Sequence, residues 1–91
     1  MAVVAIKFKV MPESVETDLE QMTKQITDNL MQAGAIRIES ITQEPVAFGL
    51  KALIVFFAWP EQLATELAED AVRKVEHVSS LDTVDYRRAF G

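Results

Sequence analysis

Residues 50–58 read LKALIVFFA, and this apolar stretch decides the fold. Because an extended chain with this sequence is apolar on both faces, the stretch is typical of a central strand with neighbours on either side. Pro60 ends the strand, since proline has no backbone N–H to donate to a sheet. The longest apolar run, residues 52–59, is too short to cross a bilayer as a helix. We therefore expect this stretch to form the middle of a sheet.

A second strand is predicted at residues 2–11, where side chains alternate with a period of two. One face carries Val4, Ile6, Phe8 and Val10. The other face carries Val3, Ala5, Lys7 and Lys9. Pro12 ends this strand.

A third strand is predicted at residues 35–42, with Ile36 and Ile38 on one face. Ile41 falls out of that phase. Either the strand has a bulge near Ser40, or the chain leaves the sheet after it.

A first helix is predicted after the polar linker at residues 13–16. Thr17 is expected to be its N-cap, with Glu20 three residues later completing a capping box. Gly34 is expected to end the helix as a C-cap glycine. The apolar stripe of the helix consists of Leu19, Met22, Ile26 and Leu30.

A second helix is predicted at residues 61–75, and a fourth strand follows at residues 81–88. The stripe of this helix is expected to consist of Ala64, Leu67, Ala71 and Val75, with Leu63 and Ala68 beside it. In the strand, Val84 and Tyr86 share a face.

The order β-α-β-β-α-β predicts an α+β fold, a ferredoxin-like sandwich in which two helices cover one face of a four-stranded antiparallel sheet. Right-handed crossovers place strands one and three in the centre. The other face of the sheet is left open. There, strand three presents one of two apolar sets, Leu53, Val55 and Phe57 or Ala52, Ile54 and Phe56. Such a face predicts a partner or weak self-association.

Composition excludes several classes of function. The chain has 91 residues, of which 49% are hydrophobic, enough for one domain with its own core. It contains no cysteine, which excludes disulfides, thiolate metal sites and cysteine nucleophiles. Nine Lys and Arg stand against 14 Asp and Glu, for a net charge of −5. This balance favours a basic protein partner over a nucleic acid.

No catalytic residue, cofactor or metal ion is expected. The single histidine, His77, follows the second predicted helix, whose C-terminal dipole would favour a cation. The three glycines, Gly34, Gly49 and Gly91, are too far apart to form a phosphate-binding loop. The spacing of His, Asp and Glu does not match a metal site.

Two segments are candidates for binding a partner. In residues 44–53, EPVAFGLKAL, the apolar ring of Phe48 lies on a predicted turn, where polar residues are usual. The ring either anchors a partner or folds back over the sheet edge. Near the chain end, Arg87 and Arg88 precede a short tail that contains Phe90. These arginines either contact an acidic or phosphate-bearing partner or protect an edge strand.

Four segments together resemble the archaeal form of the translation elongation factor 1-beta family, over essentially the whole chain. They are KVMPES (9–14), TDLE (17–20), EPVAFGLKAL (44–53) and VDYRR (84–88). The resemblance implies a single exchange-factor domain over residues 1–91. It further implies that the protein is not an enzyme but a guanine-nucleotide exchange factor, promoting GDP release and GTP rebinding on elongation factor 1-alpha.

The resemblance also implies which residues bind the partner, elongation factor 1-alpha in its GDP-bound and nucleotide-free states. They are Pro45, Phe48, Gly49, Lys51, Arg87 and Arg88. Phe48 would be the anchor and Lys51 a supporting charge. Eukaryotic relatives carry a lysine near the position of Gly91 that reaches toward Mg²⁺, and this chain offers only the two arginines nearby. The expected location is the cytoplasm, without membrane or direct nucleic-acid contact.

Two other functions stay open at this point. A ferredoxin-like regulatory or ligand-binding domain acting as an oligomer would use the apolar open face. RNA binding through aromatic residues of strands one and three is less favoured, because the basic signature of such domains is missing.

Overall fold

The computed structural model describes residues 2–89, which form one four-stranded sheet and two helices. The elements are β1 (Val3–Pro12), α1 (Leu19–Ala33), β2 (Arg37–Pro45), β3 (Lys51–Pro60), α2 (Thr65–Arg73) and β4 (Val78–Ala89). The strands lie in the order β2-β3-β1-β4, and every neighbouring pair is antiparallel. The ferredoxin-like α+β fold is therefore confirmed, with the first and third strands in the centre.

The core lies between the sheet and the helices. Phe8 of β1 and Phe57 of β3 are fully buried, and their rings meet edge to face at 5.0 Å. Trp59 extends this contact, and its indole N–H donates to the carbonyl of Leu63 at 3.1 Å. The predicted alternation of β1 is confirmed by its buried residues, which are Val4, Ile6, Phe8 and Val10.

The open face of β3 carries the set with Ile54 and Phe56, because Leu53, Val55 and Phe57 bury against the helices. This face is less exposed than its composition suggested. Ile54 and Phe56 are half-buried, and the ammonium of Lys7 lies 5.5 Å from the centre of the Phe56 ring. The side chain of Lys9 lies on the same face, and its ammonium nitrogen forms an ion pair with a carboxylate oxygen of Glu44 at 3.8 Å. Self-association through this face stays a prediction.

A bulge in β2 restores the phase of its apolar side chains. Ile38 lies opposite Phe57, and Ser40 lies opposite Phe56, so Glu39 is the extra residue. Ile41 then returns to the covered face and packs against the core. The bulge predicted near Ser40 is confirmed. Because the chain stays in the sheet, β2 continues beyond the predicted residue 42 to Pro45.

The start of α1 differs from the prediction by one residue. Asp18, not Thr17, is the N-cap, and its carboxylate accepts from the backbone N–H of Gln21 at 3.1 Å. The Thr17 hydroxyl is engaged elsewhere, accepting from the N–H of Ser14 at 3.3 Å. The C-cap prediction is confirmed, since Gly34 has φ 127° and its N–H donates to the last turn. A Cβ at this position would lie 2.7 Å from Leu63.

The stripe predicted for α2 was confirmed at Ala71 and Val75 and wrong at Ala64 and Leu67. Residues 61–64 form a turn after β3, so the helix begins only at Thr65, and Ala64 precedes it. Leu67 therefore points outward and is 47% exposed. The buried positions of this segment are Ala68, Ala71, Val72 and Val75. The early end of the helix also separates it from His77.

Candidate functional site

The Phe48 loop, defined as residues 45–51, joins β2 to β3 at one end of the sheet. Pro45 lies opposite Lys51 in the last strand pair. Inside the loop, the N–H of Val46 donates to the carbonyl of Leu50 at 2.8 Å, and the N–H of Leu50 donates to Ala47 at 3.3 Å. The loop is therefore a closed, hydrogen-bonded turn.

At the tip of this loop, Phe48 is 94% exposed. The alternative in which its ring folds back over the sheet edge was wrong. Phe48 has φ 63° and Gly49 has φ 77°, so two successive residues adopt left-handed backbone. For a residue with a large side chain, this conformation costs on the order of 1–3 kcal/mol. Backbone strain therefore falls on Phe48, the one aromatic ring that residues 2–89 expose almost completely.

Val15 is a second exposed apolar side chain beside this loop. It lies in the β1–α1 loop, defined as residues 13–18, and is 63% exposed. A Cβ built on Gly49 would lie 3.7 Å from Val15, which places the two loops in contact. Sequence reasoning grouped Val15 with a polar linker and missed it. The available signal was a single β-branched apolar residue within ESVET.

Hydrogen bonds hold the β1–α1 loop in place. The N–H of Glu13 donates to the carbonyl of His77 at 2.9 Å, and the N–H of Thr17 donates to Ser14 at 3.3 Å. The Ser14 hydroxyl accepts from the N–H of Glu16 at 3.2 Å. Val15 is therefore displayed on an ordered turn.

His77 braces this loop and does not cap a helix, which corrects the prediction. α2 ends four residues earlier at Arg73, and His77 lies in the turn before β4 with φ 72°. Its Nδ1 lies 3.0 Å from a carboxylate oxygen of Glu13. Together with the backbone bond between the same residues, this contact ties the β1–α1 loop to the start of β4.

The surroundings of Val15 are acidic. A shallow depression beside it is lined by five ionisable side chains, namely Glu13, Glu16, Asp18, Glu76 and His77. Ser14 and Thr17 separate it from a smaller depression, which Val15, Gly49 and Lys51 line. Lys51 is the cation of this smaller depression, on the Phe48 side. The end of the molecule that carries Phe48 thus combines two exposed apolar side chains, an acidic side and one lysine.

Arg87 and Arg88 lie far from this end. Arg88 pairs with Val4 of β1, whereas the Phe48 loop begins just beyond Leu53, which pairs with Val10. Six residues at about 3.3 Å each separate Val4 from Val10, which gives roughly 20 Å. The structure therefore brings Pro45, Phe48, Gly49 and Lys51 together and leaves the two arginines at the opposite end of the sheet.

The two arginines also point to opposite faces of β4, because successive residues of a strand alternate. Arg87 lies opposite Ala5 on the open face, and its guanidinium pairs with Asp85 at 3.1 Å. Arg88 lies on the helix side and forms an ion pair with Glu61. They do not form a joint cationic site. The predicted contribution of Phe90 and the position of Gly91 lie outside the described residues.

Within residues 2–89, no three His, Cys, Asp or Glu side chains are grouped so that they could hold a metal ion. No helix in that range is both long enough and apolar enough to span a membrane.

Comparison with known proteins identifies a family and several close relatives. Residues 5–88 match the model of the EF-1 guanine nucleotide exchange domain. The chain is 46% identical over 89 residues to elongation factor 1-beta of Methanosarcina barkeri, covering 97% of this chain and 99% of that protein. It is 36% identical to elongation factor 1-beta of Methanothermobacter thermautotrophicus, covering 97% and 98%. For that of Staphylothermus marinus the identity is 39%, covering 90% and 91%.

Proposed function

The chain belongs to the family of EF-1 guanine nucleotide exchange domains, and we propose that it binds its GTPase through the Phe48 loop. It is a guanine-nucleotide exchange factor for elongation factor 1-alpha. We further propose that residues 1–91 act as one exchange-factor domain in the cytoplasm.

The exposure of Phe48 carries the proposal. A fully exposed phenylalanine gains about 1.5–3 kcal/mol when a partner buries its ring. The left-handed backbone and the hydrogen bond from Val46 to Leu50 hold the ring in its outward position before binding. Little conformational entropy is then lost on association, which is the advantage of a preorganised anchor.

Exchange follows from differential affinity. If the chain binds nucleotide-free elongation factor 1-alpha more tightly than its GDP-bound form, linkage requires that it lower the affinity for GDP by the same factor. GTP then rebinds and displaces the chain. These steps of exchange need no cofactor, no metal ion and no nucleophile from the exchange factor itself.

Lys51 is the supporting charge in this proposal, because it is the last residue of the Phe48 loop and is exposed. The contact of the arginine end, with Arg87 and Arg88, is separate from that of the Phe48 loop. Both guanidinium groups already have a carboxylate neighbour, Asp85 or Glu61, which each would exchange for a group of the partner. Since they face opposite sides of β4, one of the two carries this contact.

The test is the release of a fluorescent GDP analogue from an archaeal elongation factor 1-alpha, followed by stopped flow with increasing amounts of the chain. We expect release to accelerate with concentration and to saturate. Absence of acceleration over a range of Mg²⁺ concentrations, with a folded chain and a GTPase that binds nucleotide, would refute the exchange activity. A parallel titration with GDP-loaded and nucleotide-free GTPase measures the difference in affinity on which the mechanism rests.

A further inference from the structure

Val15 and Phe48 form one apolar patch from two loops. Among the large apolar side chains of residues 2–89, these two are the most exposed. The loops that carry them are in contact, because Val15 lies 3.7 Å from the position of a Cβ built on Gly49, the residue after Phe48. Other exposed apolar side chains lie on helix or strand surfaces away from this end, such as Leu67 on α2 and Val84 on β4.

The relative position of the two side chains is fixed by the fold. β1 leads into the β1–α1 loop and β3 leads out of the Phe48 loop, and these strands are paired up to Val10 and Leu53. The contacts of Glu13 with His77 hold the first loop from its other side. The patch therefore has two apolar points on two loops, and the loop that carries Val15 is also anchored by contacts outside the Phe48 loop.

We propose that Val15 is a second apolar contact for elongation factor 1-alpha, continuous with Phe48. The inference rests on the proposed function, because the occupant of the patch is the same GTPase. A single ring leaves the partner free to rotate about the point of contact, whereas two apolar points on separate loops fix its orientation. Val15 is thus a residue that positions the GTPase on the exchange factor.

The charges beside Val15 specify the chemistry of the surface that it meets. Glu13, Glu16 and Asp18 flank Val15 in sequence, and all three are exposed. An apolar contact bordered by carboxylates fits an apolar spot of the GTPase that is bordered by Lys or Arg, since complementary potentials favour the docked orientation. The acidic balance of the chain, −5 overall, acts in the same direction.

The test compares two substitutions of the same residue type. Val15→Asp places a charge in the patch, whereas Val84→Asp places the same charge on β4, where Val84 is 51% exposed. In the GDP-release assay, we expect Val15→Asp to raise the half-saturating concentration by about tenfold or more, as the loss of a central interface contact does. Val84→Asp should stay within about twofold of wild type, as a charge outside the interface does. Thermal unfolding of both variants confirms that they are folded.

A more conservative change keeps the test independent of charge repulsion. Val15→Ala should raise the half-saturating concentration by a few-fold, about in proportion to the apolar area that it removes. The inference fails if Val15→Asp and Val84→Asp saturate alike while Phe48→Ala is impaired, and the proposed function then stands without it. If the wild-type chain does not accelerate GDP release, the proposed function itself fails.

Discussion

The prominent side chains at the two ends of the sheet lie in opposite environments. At one end, Phe48 extends into solvent from a strained backbone and makes no packing contact that offsets the strain. At the other end, Arg87 and Arg88 lie in a regularly paired part of β4, and each guanidinium has a carboxylate partner within the chain. The first end is costly to the isolated protein, whereas the second is satisfied without a partner.

This difference bears on the proposal that the Phe48 end binds the GTPase. Strain that the fold does not offset is typical of functional sites, because selection for folding alone would remove it. Paired charges at a strand edge need no function beyond solubility and protection of the edge. The comparison therefore ranks the Phe48 end above the arginine end as the main contact with the GTPase.

The largest expected effect is the loss of binding on Phe48→Ala. We expect the affinity for nucleotide-free elongation factor 1-alpha to fall by about 1–3 kcal/mol, as for truncated anchor residues. This loss corresponds to roughly 5- to 150-fold in the dissociation constant. Titration calorimetry measures it directly, and the GDP-release assay should show the same shift in half-saturating concentration.

The matched control is Leu67→Ala, another exposed large apolar residue, on the surface of α2. It should leave affinity unchanged. Equal losses for both variants would remove the distinction between the Phe48 end and the rest of the surface.

The arginine end should show a smaller effect that is confined to one residue. An exposed charge pair is worth about 0.2–1 kcal/mol, so the more important of Arg87→Ala and Arg88→Ala should weaken exchange by up to about fivefold. The other variant should match wild type, because the two side chains point to opposite faces. Measuring GDP release at low and high Mg²⁺ distinguishes the roles, since opposition to the ion predicts a larger loss at high Mg²⁺. Equal losses from both single variants would contradict the assignment to opposite faces.

The sheet and its core were accessible from sequence because they depend on local pattern. The period of two in β1 specifies the buried face through neighbouring residues alone, whereas the double-sided apolar run of β3 predicts a central strand but not which of its two sets faces the helices. The bulge of β2 could also be predicted from local pattern, since Ile41 falls out of phase with Ile38. The N-cap of α1 and the start of α2 were harder to predict. Thr17 and the neighbouring Asp18 are both residue types that cap helices, and residues 61–64 form a turn where the helical pattern was expected to begin.

The candidate site was only partly accessible because it is assembled from distant segments. Phe48 was recognisable as an apolar residue on a turn. Val15 becomes meaningful only when the pairing of β1 with β3 brings its loop beside Gly49. The separation of Arg88 from Phe48 likewise follows from strand register. The segments that contain these two residues do not by themselves show how far apart they lie in the fold.

Substituting one aromatic residue at each end of the sheet tests whether its ring contributes to folding stability. Phe48→Asn should leave the free energy of unfolding unchanged or raise it by up to about 1 kcal/mol, because asparagine tolerates left-handed backbone better and the exposed ring loses no packing. Tyr86→Asn should lower it by about 1 kcal/mol, because the half-exposed ring lies on a strand, where asparagine is unfavourable. Urea denaturation measures both. A clear destabilisation by Phe48→Asn would show that the ring supports the fold and would weaken its assignment as an anchor.

The smallest expected effect belongs to Lys51, and its dependence on salt decides its role. Lys51 is the last residue of the Phe48 loop and is exposed, so Lys51→Ala should weaken exchange by about two- to threefold at low ionic strength. Because interactions between exposed charges are screened beyond about 8 Å at 0.15 M salt, this loss should nearly vanish at high ionic strength. Lys24→Ala, an exposed lysine on α1, supplies the control for a change in net charge alone. A loss that persists at high salt would instead mean that the aliphatic stem of Lys51 packs against the GTPase, and Lys51 would then extend the apolar patch rather than flank it.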